Sequence, residues 1–284
     1  MINILYAGNY KVFDGLVLSL LSMTKHTKEP LSVQFLTMDL RDIDPRFIPL
    51  NDSHKKYIED ILHLANKDSK FELIDVTELF ESTLINSVNI KSSFTPYSML
   101  RLIAHKIPNI PDKFIYLDTD TLINNDIAEL YNIDISDYEL GVVKDAYNWT
   151  DIRRWGKKYF NAGVLLVNMK LIKQSGLFEH AMIMCRDKKM LYMDQEALNR
   201  CCKNKKMLPL KFNSKSKWYP EIVVHHFCEV RESNLFLISK KWWHRIKPWE
   251  VDYVKRKMSA YNDILDDFVA RKSKPDYPTV VIEK

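Results

Sequence analysis

The sequence predicts an α/β fold in a single domain, with a mostly parallel, Rossmann-like sheet covered by helices. Three observations predict it. Short β-branched or aromatic runs alternate with helical patterns through the first 145 residues, the arrangement in which helical crossovers join parallel strands. Of the 284 residues, 46% are apolar, ample for a core. No internal repeat, low-complexity stretch or linker divides the chain.

Each element follows from its residues. Positions 2–7 read as a buried strand, and Gly8 and Asn9 turn the chain into a helix at 12–27, where Leu16, Leu20 and Met23 recur at helical spacing. Residues 31–38 make a second strand. Asp52 is placed to cap a helix running to about residue 66, with Tyr57, Ile61 and Leu64 on one face; 71–76 is the third strand. Pro96 opens a helix carrying Tyr97, Leu100, Ile103 and Ala104, in keeping with proline's preference for the first turn, and Pro108 and Pro111 end it. The apolar run at 113–117 is a central strand that delivers Asp118, Thr119 and Asp120 at its carboxyl end, where open α/β sheets bind ligands. Residues 145–158 turn aromatic and basic without a period (Tyr147, Trp149, Arg153, Arg154, Trp155), as in a surface excursion. Core composition returns over 160–169. Helices are expected at 174–188 and 194–202, strands at 207–212 and 222–227, and a mixed tail from 251.

Composition excludes several classes. Forty-two basic against 37 acidic residues leave a formal charge of +5, short of a nucleic-acid footprint and a mild help with anionic substrates. No run approaches the roughly 18 apolar residues of a spanning helix, and no charged leader precedes the strand at Ile2. A soluble, unsecreted, cytoplasmic protein is expected. Peripheral contact with the inner face of the membrane stays open: the basic clusters in the tail (Lys255, Arg256, Lys257; Arg271, Lys272, Lys274) are interspersed with acids and read as a solvated face. The four cysteines contain no CxxC and include an adjacent pair, Cys201 and Cys202, so free thiols are expected rather than disulfides or a zinc site.

The sharpest local feature is FIYLDTD at 114–120. Two carboxylates separated by one residue reach a common divalent ion only if the chain leaves ideal pleating there, since strict alternation sends them to opposite faces. A hard cation so held would neutralise charge building on a diphosphate leaving group. The bare pattern also fits a rival. Asp118, Asp120 and Thr121 match the DxDxT motif of haloacid-dehalogenase phosphatases, in which the first Asp attacks phosphorus. That motif belongs on a first strand with a later acidic pair; here three strands precede it, and Asp266 and Asp267 sit in a polar helical tail.

Six segments together carry a resemblance: ILYAGNY at 4–10, FIYLDTDTLINNDIAELY at 114–131, YFNAGVLLVNM at 159–169, MDQEALN at 193–199, HHFC at 225–228 and KPW at 247–249. In this order and spacing the chain resembles glycosyltransferase family 8, whose members include bacterial lipopolysaccharide galactosyltransferases and glycogenin. The resemblance implies a GT-A fold and a manganese-dependent, retaining transfer of galactose or glucose from a UDP-sugar to a glycan or glycolipid acceptor, with magnesium as the alternative ion. It implies a catalytic domain over 1–250, nucleotide-binding to about 120 and sugar- and acceptor-binding beyond, with a tail at 251–284. Asp118, Asp120 and His226 would be the metal ligands, and His225, on the other strand face, would not reach the metal. By itself, His226 in an apolar strand reads more readily as a satisfied core histidine than as a ligand. Ala7, Asn9, Tyr10, Thr119, Asn161, Gly163 and Lys247 would contact the donor. Asp194 would hydrogen-bond sugar hydroxyls and Gln195 would lie beneath the anomeric carbon, the two catalytic candidates; Asp194 also reads as a helix N-cap.

Three departures stand against the family pattern. Ala7 and Gly8 occupy the loop where the galactosyltransferases place an acid that recognises uracil. Met99 stands where an arginine is common, and Arg101, about 200° away on a helix, either takes the phosphate contact or faces solvent. The segment 229–246 is longer than usual, and its Trp242, Trp243 and His244 read either as part of an acceptor platform or as core. A catalytically silent nucleotide-sugar binder is the remaining alternative.

Overall fold

β1 (Ile2–Ala7), β2 (Leu31–Thr37), β3 (Lys70–Asp75) and β4 (Lys113–Leu117) lie parallel in one sheet. Their alternate residues divide between two cores. Ile4 and Ile115 are cross-strand partners that face one side, and the next pair, Leu5 and Tyr116, faces the other. Burial on both faces is why these strands read as unbroken apolar runs. The structure is a computed structural model that describes residues 1–92, 94–145, 156–215, 218–228, 231–232 and 244–280, with the backbone alone at 231, 232, 244 and 245. With β5 at Thr121–Ile123, β6 at Leu140–Lys144, β7 at Phe160–Asn168 and β8 at Lys205–Leu208, the sheet order is β3-β2-β1-β4-β7-β6-β8. β7 runs against both its neighbours, so its first residues lie beside the carboxyl end of β4, with Leu117 opposite Val164.

α1 (Phe13–His26) and α2 (Asp52–Ala65) cover one face of the sheet. Asn51, not Asp52, is the cap of α2: its side chain accepts from the backbone N–H of Ser53 and His54, and His54 returns its ring to the Asn51 N–H. The other face carries α3 (Thr77–Thr83), α4 (Leu100–Ile103), α6 (Met169–Ser175), α7 (Leu177–Asp187) and α8 (Met193–Cys201), while the single turn α5 (Ala128–Tyr131) follows β5. The helix expected from Pro96 is α-helical only over α4, between 3-10 turns at Pro96–Met99 and Ala104–Lys106. The helix expected at 174–188 is two, because Gly176 at φ 70 ends α6 in the left-handed region. The strand expected at 207–212 ends at Leu208, since Pro209 has no N–H to continue a ladder.

After Ile246 the chain folds back. α9 (Val251–Lys257) and α10 (Asn262–Lys272) bring Tyr261, Ile264, Leu265 and Phe268 into the core shared with α1. Lys255 pairs with Asp266, Arg271 with Asp267 and Lys272 with Asp14, so half of the basic residues in those clusters are matched by acids. The four cysteines are free. Among the described residues no helix is long and apolar enough to cross a membrane.

Candidate metal and donor site

β4 ends at Leu117, and the acids occupy the turn between it and β5. There the backbone leaves the sheet. The Asp118 N–H donates to the Gly163 carbonyl, 2.8 Å, and the Thr121 hydroxyl donates back to the Asp118 carbonyl, 2.9 Å. β5 then pairs antiparallel with β9 (Val224–His226), placing Thr121 opposite His226, and the Phe227 N–H donates to the Asp120 carbonyl. This pairing brings a histidine from far along the chain to the acid pair. One ligand atom from each of Asp118, Asp120 and His226 lies within 4.8 Å of the others.

His226 is buried, and its orientation is fixed from behind. Nδ1 lies 3.0 Å from Asn213 Oδ1, which turns Nε2 toward the acids, 3.2 Å from Asp120 Oδ1 and 3.7 Å from Asp118 Oδ2. Neither contact is aligned as a hydrogen bond, and Nε2 has no such partner among the described residues. An orphaned, buried ring nitrogen beside two carboxylates fits a divalent cation: hard oxygens with one imidazole are a normal donor set. His225 faces the other way, with Nδ1 2.8 Å from the Tyr261 hydroxyl. Lys247 contacts Asp120 Oδ2. Burial works against a charged Asp120, but His226 and Lys247 outweigh it and hold the carboxyl below the usual range.

Gly163 explains why so little space separates these groups. A Cβ at this position would lie 2.1 Å from His226 Cε1 and 2.6 Å from Asp118 Oδ2. No side chain larger than hydrogen fits. Gly15, in the first turn of α1, makes a comparable approach: a Cβ there would lie 2.6 Å from both the Thr119 carbonyl oxygen and the Trp249 ring. The KPW segment is thereby seated on α1 directly beside the acid turn.

Arg101 is 4% exposed, which removes the solvent-facing reading. Its Nη2 donates to Asp118 Oδ1 at 2.8 Å, its Nε to the Ser98 carbonyl at 3.1 Å, and its Nη1 to the Ala162 carbonyl. Nε also lies 3.1 Å from Asp194 Oδ2, and the guanidinium carbon stands 4.2 Å above the Tyr116 ring. Burial opposes its charge, but Asp118, Tyr116 and Asp194 more than compensate. Asp194 is not an N-cap: the cap of α8 is Tyr192, and Asp194 lies inside the first turn, buried. Burial first, then the Asp118 charge, raises its pKa against the pull of Arg101.

Asn161 and Gln195 meet. Gln195 Oε1 accepts from Asn161 Nδ2 at 3.0 Å and from the Ala162 N–H at 3.1 Å. Asn161 Oδ1 accepts from the Gly163 N–H and from Asn213 Nδ2. At the end of β1, Asn9 is buried and its side chain accepts from the Lys11 N–H, while the Tyr10 N–H donates to the Ile48 carbonyl. Ala7 and Gly8 bring no charge to this loop, and Met99 is buried in the core. The ends of the long insert pair as two-residue strands, Arg231–Glu232 with His244–Arg245. Trp242 and Trp243, and Tyr147, Trp149, Arg153, Arg154 and Trp155 of the aromatic stretch, lie outside the described residues, as does the His244 side chain.

Several site residues escape sequence reading. Tyr116 is two positions before Asp118 on the same strand face, and its hydroxyl donates to Asp118 Oδ1; alternation could have found it. A glycine in a helix interior costs about 1 kcal/mol and so marks a close approach, a signal that is weak at Gly15 because it stands in the first turn of α1. Asn213 and the Asp145–Lys215 ion pair carry no local signal, beyond Asp145 being another strand-end acid.

Comparison with known proteins agrees with this geometry. The model of glycosyl transferase family 8 matches residues 2–252. A Haemophilus influenzae protein provisionally named a glycosyltransferase is 30% identical over 270 residues, 86% of this chain and 73% of that protein. The lipopolysaccharide 1,2-glucosyltransferase of Escherichia coli is 25% identical over 187 residues, 61% of this chain and 54% of that enzyme. The structure of the galactosyltransferase LgtC in complex with donor and acceptor sugar analogs superposes with a TM-score of 0.61 at 18% identity, over 96% of this chain and 97% of LgtC. That likeness is one of fold, the GT-A architecture. The phosphatase reading falls with it, and Asp266 and Asp267 are spent on surface ion pairs. By its family match, the chain belongs to glycosyl transferase family 8.

Proposed function

We propose that this protein is a retaining hexosyltransferase that moves galactose or glucose from a UDP-sugar to a glycan or glycolipid acceptor of a bacterial-type surface pathway. The observation that carries the reading is the convergence of Asp118, Asp120 and the orphaned His226 Nε2 at the carboxyl end of a central strand. Mn2+, with Mg2+ as the alternative, is the ion assigned to these ligands; when bound it neutralises charge on the departing diphosphate. The catalytic unit is assigned to 1–250, with the nucleotide held before residue 120 and sugar and acceptor beyond it. Such an enzyme works in the cytoplasm and meets a glycolipid acceptor at the inner face of the membrane.

In this reading the chain's own groups bind and orient. Ala7, Asn9 and Tyr10 form the nucleotide loop. Lys247, beside Asp120, offers its ammonium to the diphosphate, an electrostatic contribution that grows as negative charge develops on the leaving group. Asn161, Gly163 and Thr119 border the donor sugar, and Asp194 accepts from its hydroxyls. Arg101 is committed to Asp118, Asp194 and two carbonyls, so its part is to hold the acids rather than to reach a phosphate. No side chain is assigned as general base: attack from the front face, with the departing phosphate oxygen taking the acceptor proton, accounts for retention.

Thermal unfolding with UDP-glucose, UDP-galactose and GDP-mannose, each with and without Mn2+, tests this. A UDP-sugar at 100 times its Kd adds about 2.7 kcal/mol, a rise of roughly 5 °C in a chain of this size, and the rise should require the metal. No shift with any donor sinks the proposal. A shift without slow donor hydrolysis would make the protein a silent binder.

A further inference from the structure

A buried asparagine holds two exposed aliphatic side chains beside the donor site. Asn89 is 2% exposed. Its Nδ2 donates to the Cys185 and Lys188 carbonyls, and its Oδ1 accepts from the Met190 N–H. The Ser87 hydroxyl donates to the same Cys185 carbonyl, and the Val88 N–H to the Arg186 carbonyl. The loop at 84–92 is thereby pinned to the end of α7 and to the link into α8. Val88, between Ser87 and Asn89, is 54% exposed, and Leu191, next after Met190, is 50% exposed. Aliphatics scattered singly over a surface need no explanation, but these two are fixed on one surface by bonds that only a folded loop can make. Asp194 and Gln195 follow Leu191 within the first turn of α8.

The same surface is basic. Burial raises the pKa of the Cys201 thiol at the end of α8, and Lys188, Arg200 and Lys203 all pull against that rise, which places the three cations around one point. Lys189 is exposed beside them. Farther along, Lys157, Lys158 and Lys205 line a cavity of about 260 Å³ with Asn199 of α8. Among the described residues, Lys157, Lys158, Lys188, Lys189 and Lys203 form no ion pair. Asp187 and Glu196, acids of the same segments, are each held by an arginine: Asp187 lies 2.6 Å from Arg186 Nε and Glu196 lies 3.1 Å from Arg200 Nη2. The C-terminal helices are the reverse case, since Lys255, Arg271 and Lys272 all have acid partners. Uncompensated lysines around exposed aliphatics are what a bilayer of anionic lipids complements: headgroup phosphates meet the ammonium groups, and the aliphatic side chains enter the headgroup boundary.

We propose that the face formed by the 84–92 loop, the link between α7 and α8, and the end of α8 docks on an anionic phospholipid bilayer, so that a lipid-carried acceptor meets the site from the side of Asp194 and Gln195. This rests on the glycolipid-acceptor reading of the same site and adds the surface through which that acceptor is reached.

The test is co-sedimentation of the full chain with vesicles of phosphatidylcholine alone, and of phosphatidylcholine and phosphatidylglycerol in equal parts, at low and high salt. The wild type should bind only the vesicles that contain phosphatidylglycerol, and high salt should release it, because exposed charges are screened. Lys188→Gln, Lys189→Gln and Lys203→Gln together should weaken binding roughly 100-fold, at about fivefold for each lysine near the surface. Val88→Ser with Leu191→Ser should weaken it about tenfold, from the partial burial of two aliphatic side chains. Lys255→Gln, Arg256→Gln and Lys257→Gln together should change it by less than about threefold. Both triple variants remove the same net charge, so a difference between them reports the face and not the total. Equal losses in the two, binding to phosphatidylcholine alone as strong as to the mixture, or no binding to either overturns the docking. So does a wild type that sediments as a dimer without lipid and becomes monomeric on Val88→Ser with Leu191→Ser, since the face would then join copies of this chain. Hydrolysis of UDP-glucose and UDP-galactose with Mn2+, read on the same samples, should be unchanged in all three variants. Vesicle binding by a wild type that hydrolyses neither donor overturns the transferase reading and leaves the docking; hydrolysis without vesicle binding does the opposite.

Discussion

Replacing Gly163 by alanine should remove metal binding while sparing the fold. An added Cβ would sit 2.1 Å from His226 Cε1, where ordinary contact begins near 3.4 Å; the difference, 3.4 − 2.1, requires a displacement of about 1.3 Å. The Cβ is anchored to β7, whose backbone is tied to β4 by the Asp118 N–H bond to Gly163 and by the antiparallel register. The side chains are therefore what move, the Asp118 carboxylate, whose Oδ2 lies 2.6 Å from the added Cβ, and above all the His226 ring. Shifted by that amount it loses the 3.0 Å contact with Asn213, and a metal ligand must stay within about 0.2 Å of its place. The overpacking itself costs about 1–3 kcal/mol.

Two measurements separate the consequences. Calorimetric titration with Mn2+–UDP should show affinity reduced about 100-fold, on the scale of losing a ligand's orientation. Urea unfolding without metal should show the midpoint lowered by no more than the overpacking cost. If the alanine variant binds Mn2+–UDP within about threefold of wild type, less than 1 kcal/mol, then His226 is not a ligand and the site assignment fails. If instead it unfolds outright, the serine variant will do the same, and the comparison moves to Asn213→Ala, which frees the same ring without crowding it.

Further outcomes follow from the same structure. Asp120→Asn should abolish turnover in Mn2+ with an unchanged circular dichroism spectrum; near-normal turnover would remove Asp120 from the mechanism. Arg101→Met leaves Asp194 buried without its cation and should cost about 3–5 kcal/mol in urea unfolding, the range for breaking one side of a buried pair; a loss under about 1 kcal/mol would mean the clamp contributes little. His54 gives a pH signature: burial lowers its pKa from 6.5 to about 4, so the unfolded chain binds the proton more readily. Its contribution is whole above about pH 6.5 and declines as pH falls toward 4. Discounted for partial solvation, the decline is about 1–2 kcal/mol. The urea midpoint of the wild type should therefore fall more between pH 7 and 4.5 than that of His54→Asn, and equal falls would refute the assignment.

The fold was readable to the extent that it is local. The parallel strands announce themselves because both faces are buried, and Pro96 marks a helical turn because its φ suits one. Errors arose where two residues compete for one role or a single residue breaks a period. Asn51 and Asp52 are both good caps, and only the contact with His54 decides between them. Gly176 sits inside an apolar pattern that continues on both sides of it, so periodicity alone joins two helices. The reading of Arg101 stayed open between a contact and a solvent-facing side chain for a related reason. Met99 closes a 3-10 turn and Arg101 lies in the α-helical turn that begins at Leu100, so a uniform 100° per residue does not describe the step between them.

The site is less readable than the fold because its parts are remote in sequence. The acid pair is a short, visible word; its orientation depends on Arg101, Gly163, Asn213 and His226, which come from four other segments and meet only through β7 and the β5–β9 pairing. Two glycines show the logic. Gly15 and Gly163 flank the turn that holds Asp118 to Asp120, one admitting Trp249 and the other His226, and at each a single methyl group would displace a ring. Neither is needed for backbone conformation, since neither has a positive φ, so conformational reasoning passes over both. What selects glycine here is the volume claimed by a side chain folded in from elsewhere. A glycine inside an element with an ordinary φ is therefore evidence about the third dimension, and in this chain two of them crowd the acid turn.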